Sequence, residues 1–413
     1  MRKDAKVYFP GLNGLRFFAA FAVMITHIEL MKKYLGFTNL WSDIWDIRYG
    51  IRSTAFEAIQ LGQLKWYQPI ISELGPLGVN FFFVLSGFLI SFLLFEEKRR
   101  TKTVQIKHFY LRRILRIWPL YYFVLVLGFF ILPHIPFFNV PGQSESLEQN
   151  FWINLACYTL ILPNLALAFF TGKGGAVPNI GQSWSIGVEE QFYLLWPLIL
   201  KWTKKPLTFM GFGTILLLIV KFIVLVMVES EPLPWLMTLK NFLVMSKIES
   251  MSLGGLGAYF LFKKNNFVLN IVYNPLMQIT AFLLLPFLLF FTHRMYQDGA
   301  YLISSFSFLI IILNVASNKD SLIKLRHKTF NVLGRISFGM YMYHMMVIVF
   351  VLNILKYFQV PHDGLEGING ALLYLVITAL TLLIAYLSYT YFEVFFIKKK
   401  KAFTKVISGE ALR

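Results

Sequence analysis

Arg16 and His27 lie in an apolar stretch near the N-terminus, where neither is expected unless it has work to do. Eleven residues advance a helix by about 16 Å and turn it roughly 20° past three full turns. Both side chains therefore share one face, Arg16 near the inner surface of a membrane and His27 toward the outer one. Each also has a plainer reading, Arg16 as an anchor reaching the headgroups and His27 as a hydrogen bonder inside a bundle. A second apolar block, 184–202, carries Glu189 and Glu190 at a depth similar to that of His27. A neutral imidazole with a carboxylate partner suits a general base near pH 7, because the carboxylate holds the tautomer and stabilises the imidazolium. Adjacent helical residues point about 100° apart, so at most one of the two carboxylates is expected to touch His27. Spacing does not say which, and either could instead pair with Arg or Lys to lock the bundle.

Other polar groups are candidates too. Arg113 and Arg116 stand at i,i+3, with Arg112 and Arg116 at i,i+4, ahead of a span. Like charges crowd one face when something anionic bridges them, and guanidinium forks match phosphate. A topological excess of basic residues inside explains them equally well. Lys247 and Glu249 precede Gly254, Gly255 and Gly257, which permit close helix approach. That pair either binds an acceptor or satisfies a local network. Arg335 and His344 share a later span, with a structural role favoured for His344, and Lys221 reads as a solitary cation reaching for the interface.

These residues need elements to hold them, and composition says which. Of 413 residues, 57% are hydrophobic and only 15% charged, against about 25% charged in soluble domains. Mean hydropathy is +0.61. Apolar blocks at 15–34, 77–95, 117–132, 151–170, 184–202, 207–228, 242–262, 275–292, 301–317, 332–354 and 371–396 have the length of membrane spans. The net charge of +18 could suggest a nucleic-acid binder, but the charges follow topology instead. If every block crosses except 151–170, 26 Lys and Arg lie inside, nine outside and four within spans. The sequence thus implies an all-α polytopic bundle of ten crossings with both termini cytoplasmic. The block 151–170, interrupted at Pro163-Asn164, is expected to be re-entrant or tilted. The outer segment 35–74, with Trp41, Trp45, Trp66 and Tyr67, is expected to lie along the interface. Cys157 stands alone, which excludes an internal disulfide and a cysteine metal cluster. The first span lacks a small-residue cleavage site and reads as uncleaved.

Taken together, these stretches resemble the acyltransferase 3 family of bacterial integral-membrane O-acyltransferases, over essentially the whole chain. The resemblance is carried by Gly11-Leu12-Asn13-Gly14-Leu15-Arg16 followed by His27, and by the run from Gly78 through Ser86-Gly87 to Ile90. Arg113-x-x-Arg116, Trp184 to Tyr193 with Leu195-Trp196-Pro197, and Leu333-Gly334-Arg335-Ile336-Ser337 ending in His344 complete it. Asn13 and Asn80 stand where members often carry Asp, and Lys247-Ile248-Glu249 where the family has an Arg-x-Asp pattern.

The resemblance implies acyl-CoA, most often acetyl-CoA, as cytoplasmic donor, and a hydroxyl of an extracytoplasmic carbohydrate or glycoconjugate as acceptor. Arg113 and Arg116, with Arg16, would hold the donor's phosphates, and its arm would pass Ser86 and Gly87 toward His27. Glu189 or Glu190 would orient His27, which deprotonates the acceptor or takes the acyl group itself. Tyr193, Lys247 and Glu249 would contact substrate. No metal, tightly bound cofactor or nucleic acid is implied. The expected setting is the inner (cytoplasmic) membrane, with a single membrane-embedded domain over 1–413 and without the hydrolase-like domain that some relatives append. The competing class is a transporter or flippase of a lipid-linked or anionic substrate, although no internal repeat is visible. The acceptor's identity, acyl chain and oligomeric state are not written in the sequence.

Overall fold

The computed structural model describes residues 6–7, 9, 11–40, 67–170, 177–231, 233–291, 297–365, 367–403 and 407–408. Trp41, Trp45 and Trp66 of the expected interfacial segment lie outside the described residues. In chain order the elements are β1 (Lys6–Val7), α1 (Leu12–Leu35), α2 (Tyr67–Thr101), α3 (Ile106–Val126), α4 (Gln143–Gln149), α5 (Phe151–Thr159) and α6 (Pro163–Phe170). There follow α7 (Trp184–Trp202), α8 (Pro206–Ser230), α9 (Pro234–Met245), α10 (Ile248–Phe262), α11 (Asn266–Tyr273) and α12 (Pro275–Phe291). The chain continues with α13 (Gln297–Ser317), α14 (Lys328–Tyr357), α15 (Gly367–Ser388), α16 (Val394–Lys399) and β2 (Ile407–Ser408). The protein is an all-α polytopic membrane bundle.

Among the described residues, seven helices are long and apolar enough to cross a membrane, or eight if α11 and α12, bent by 62° at their junction, make one span. Two blocks read as spans in the sequence do not meet that standard. Helix α7 carries Glu189, Glu190 and Lys201 within 19 residues, and α10 is only 15 residues long. Both are nonetheless packed inside the bundle, where neighbouring helices rather than lipid meet their polar groups. Block 151–170 is two short helices, α5 and α6, with Ile161 in a left-handed conformation between them (φ 59°). Asn164 and Gln191 exchange hydrogen bonds of 3.3 and 2.8 Å, fixing this break against α7. Irregular backbone is tolerated at depth when it is buried in protein in this way.

At one end of the bundle β1 and β2 pair in parallel, Lys6 with Ile407 and Val7 with Ser408. Residues 6–7 and 407–408 therefore lie at the same end of the bundle. Helix α14 is central, with 72% of its apolar window buried, whereas α8 has 22% and faces outward.

Packing around the centre depends on small residues. Helix α2 lies against α10 so closely that a Cβ at Gly87 would collide with the backbone of Met251, and one at Gly254 with the carbonyl of Val84. Such contact lets van der Waals attraction stand in for the hydrophobic drive that lipid does not supply. Beside it Asn80 donates to the carbonyl of Tyr301 (3.1 Å), Ser304 (3.0 Å) and Ser305 (2.9 Å), and accepts from Ser250 at 2.7 Å. One amide thus ties α2, α10 and α13 together, with its donor and acceptor ends both engaged. Gly254→Val should force these helices apart at a cost of about 1–3 kcal/mol or more. A markedly lowered unfolding temperature in detergent is the expected result, while Gly213→Val, on α8 with open space around it, should leave it nearly unchanged.

Candidate active site

Helix α1 opens at Gly11, whose φ of 97° is left-handed, and ends at Gly36, where the amide of Phe37 donates to the carbonyl of Lys32 (2.8 Å). Between these ends nothing breaks the helix, so Arg16 and His27 keep the common face that their spacing gives them. They open into different cavities. Arg16 lines one of about 110 Å³ together with Arg113, Arg116, Ser86, Glu189 and Tyr193. His27 lines a larger one of about 480 Å³, with Lys240, Lys247, Asn241 and Tyr301.

In the smaller cavity Glu189 is the hub. Ser86 donates to Oε1 at 2.8 Å and Tyr193 donates to Oε2 at 2.8 Å. The guanidinium of Arg113 sits 5.6 Å from the Tyr193 ring centre, and Arg16 donates to Asn13 at 3.1 Å. Three guanidinium groups and one carboxylate facing a small cavity make a strongly cationic recess, which suits a phosphate-bearing ligand. Arg112, in the same basic run, is used differently. It pairs with Glu97 at 2.7 Å and donates to the carbonyl of Phe403 at 2.9 Å, fastening α3 to the chain's end.

In the larger cavity the partner of His27 is not the carboxylate that the sequence reading expects. Nδ1 of His27 lies 2.9 Å from Nε2 of His344, with the two rings stacked at 5.0 Å. Glu189 is committed to Ser86 and Tyr193, and Glu190 accepts from Trp118 Nε1 at 2.9 Å. The correction has a geometric reason. Helix α14 packs along α1 through its length, bringing His344 level with His27, while α7 turns its carboxylates toward α2 and α3. His344, read as structural from the sequence, thus belongs to the site. Its motif position was the only local signal, since its partner lies 317 residues away.

Two further expectations change. Lys221 is not a solitary cation: it is buried and donates to Glu249 at 2.7 Å. Glu249 therefore joins α8 to α10, and does not line the cavity that holds Lys247. Lys247 occupies the break between α9 and α10 with φ 24°, its ammonium 3.8 Å from the Tyr301 ring centre. Arg335 is exposed.

A family profile described as an acyltransferase domain (Acyl_transf_3) matches residues 9–390. The chain belongs to the acyltransferase 3 family. The match spans the helices that build both cavities. Among curated proteins, the O-acetyltransferase OatA of Staphylococcus aureus strain MRSA252 is 26% identical over 424 residues, covering 97% of this chain and 61% of the relative. OatA of strain NCTC 8325 is 26% identical over 399 residues, covering 94% and 57%. The peptidoglycan O-acetyltransferase OatA of Listeria monocytogenes is 33% identical over 143 residues, 32% of this chain and 21% of the relative. The chain thus spans about three fifths of the length of these staphylococcal relatives. No solved structure matches.

The Lys221–Glu249 pair gives a test of structural against substrate-binding use. Removing one member of a buried pair costs about 3–5 kcal/mol, while replacing both with apolar residues is often neutral. Glu249→Leu should destabilise the protein by that amount in detergent unfolding, and adding Lys221→Met should restore most of the loss. A Glu249→Leu protein as stable as its parent would remove the structural assignment.

Proposed function

We propose that this protein is an integral-membrane O-acetyltransferase of the cytoplasmic membrane. It takes the acyl group of cytoplasmic acetyl-CoA and delivers it to a hydroxyl of a carbohydrate or glycoconjugate on the outer side, with both termini in the cytoplasm. The observation that carries the reading is the position of His27. It is paired with His344, opens into the larger cavity, and shares a helix face with Arg16 of the arginine-lined cavity. The names of the staphylococcal and listerial relatives support O-acetyl transfer, and the listerial name supports a cell-wall carbohydrate as acceptor.

In this mechanism Arg113 and Arg116, with Arg16, hold the donor's phosphates, and the thioester end extends past Ser86 toward His27. Glu189 fixes the Ser86 and Tyr193 hydroxyls along that route. In this mechanism Nδ1–H of His27 donates to Nε2 of His344 across their 2.9 Å contact. The tautomer of His27 is then set, and its Nε2 lone pair faces the reaction. That nitrogen removes the acceptor's hydroxyl proton, or first takes the acyl group itself. On either route the thioester C–S bond breaks, an ester C–O bond forms, and the hydroxyl proton ends on the CoA sulfur. Lys240 and Lys247 lie along the wall of the larger cavity that receives the acceptor. His344 acts through His27 as a positioning residue.

His27→Ala should abolish transfer of label from acetyl-CoA to membrane carbohydrate while the protein's abundance in the membrane stays unchanged. A transporter would neither hydrolyse nor transfer the label, so wild-type protein inert toward labelled acetyl-CoA would refute the enzyme.

His344→Ala should lower kcat about 10²-fold, the lower end of general-base contributions, and shift the pH profile of kcat. An unaltered profile would reduce His344 to packing.

Arg113→Ala should raise the donor's KM by about 10- to 100-fold, the worth of one charge-assisted hydrogen bond, with Arg112→Ala leaving it unchanged. Equal KM values in both variants would remove phosphate binding from Arg113.

A further inference from the structure

The two cavities meet at three side chains. Val79, Phe83 and Tyr341 line both the arginine-bearing recess and the chamber that holds His27, and no other lining residue is shared. Val79 and Phe83 stand one turn apart on the same face of α2, and Tyr341 faces them from α14, one turn before His344. All three are buried.

This partition is rigid. The Tyr341 hydroxyl lies 2.7 Å from Ser185 Oγ and donates to the carbonyl of Gln182 at 3.1 Å. Its ring meets Phe82 edge-on at 6.0 Å and His344 at 5.6 Å. Gln182 is in turn held by donating to the carbonyl of Met342 at 2.7 Å. Phe83 lies edge-on to Trp184 at 6.2 Å. Swinging Tyr341 aside would break two hydrogen bonds in a water-poor interior, where an unpaired polar group is costly.

We propose that Val79, Phe83 and Tyr341 form the aperture through which the acyl end of the thioester reaches His27, and that its bore selects acetyl over longer acyl chains. The proposal rests on the transferase reading. The CoA moiety stays on the arginine side while only the acyl end and the adjoining sulfur enter. Once the C–S bond breaks and the C–O bond to the acceptor forms, the thiol, carrying the acceptor's proton, withdraws inward. A fixed apolar slot discriminates by roughly 10- to 200-fold per methylene, so two added methylenes are enough to read the effect.

The experiment uses inverted membrane vesicles from cells producing the full chain, which expose the cytoplasmic face and retain the native acceptor. They receive radiolabelled acetyl-CoA or butanoyl-CoA, and acyl label bound to vesicles is counted. Wild-type vesicles should incorporate acetyl in large excess over butanoyl. Phe83→Ala should raise the butanoyl-to-acetyl ratio at least tenfold, and Val79→Ala by a smaller factor. The ratio is internal to each variant, so reduced abundance does not mimic the effect. Val79→Ala removes little volume and provides the reading if Phe83→Ala fails to accumulate. A wild type that takes butanoyl as readily as acetyl would overturn the aperture, as would an unchanged ratio in the variants that accumulate. Wild-type vesicles that incorporate neither label would instead overturn the transferase reading on which it rests.

Discussion

A polar side chain inside a membrane-spanning bundle has no water to turn to, so its hydrogen bonds must end on other protein groups. The interior of this protein is organised by that requirement. The Asn80 amide distributes its bonds over two further helices, the Lys221 ammonium meets Glu249, and the Glu189 carboxylate takes two hydroxyl donors. Each arrangement fixes where one helix lies against another. The cavities occupy the places where such polar groups point away from the packing and toward a common space.

Helices α2 and α14 carry most of this arrangement. Helix α2 approaches α10 through Gly87 and Gly254, and α14 approaches α1 at Gly334, where a Cβ would meet the backbone of Asn13. Close approach on both sides holds His344 at hydrogen-bonding distance from His27 and sets Tyr341 opposite Phe83. The small residues therefore place the histidine pair and the wall beside it through one set of contacts. A looser bundle would lose the pair's 2.9 Å spacing before it lost its helices.

The sequence reveals features that depend on one helix at a time. Arg16 and His27 share a face because the helix period dictates it, and the Pro163-Asn164 interruption marks a real break. The all-α bundle follows from long apolar blocks with few charges. Features that depend on which helices become neighbours are less legible. The partner of His27 is 317 residues away and that of Lys221 is 28 away, and no local pattern connects them. Glu189 looked available to His27 by depth alone, but depth does not give the rotation of α7 about its axis. Val79, Phe83 and Tyr341 carry no chemical signature at all, since an apolar or aromatic residue in a span is the expectation everywhere.

The pairing of β1 with β2 has a consequence for biogenesis. The strand at residues 407–408 is translated after every helix described and docks beside residues 6–7, which precede α1. Phe403, just before it, supplies a carbonyl to Arg112, the immediate neighbour of Arg113. Helix α3 therefore receives this fastening only after the helices between residues 12 and 399 have been made. Until then α3 is held by its contacts with neighbouring helices alone, so its final seating belongs to a late stage of assembly.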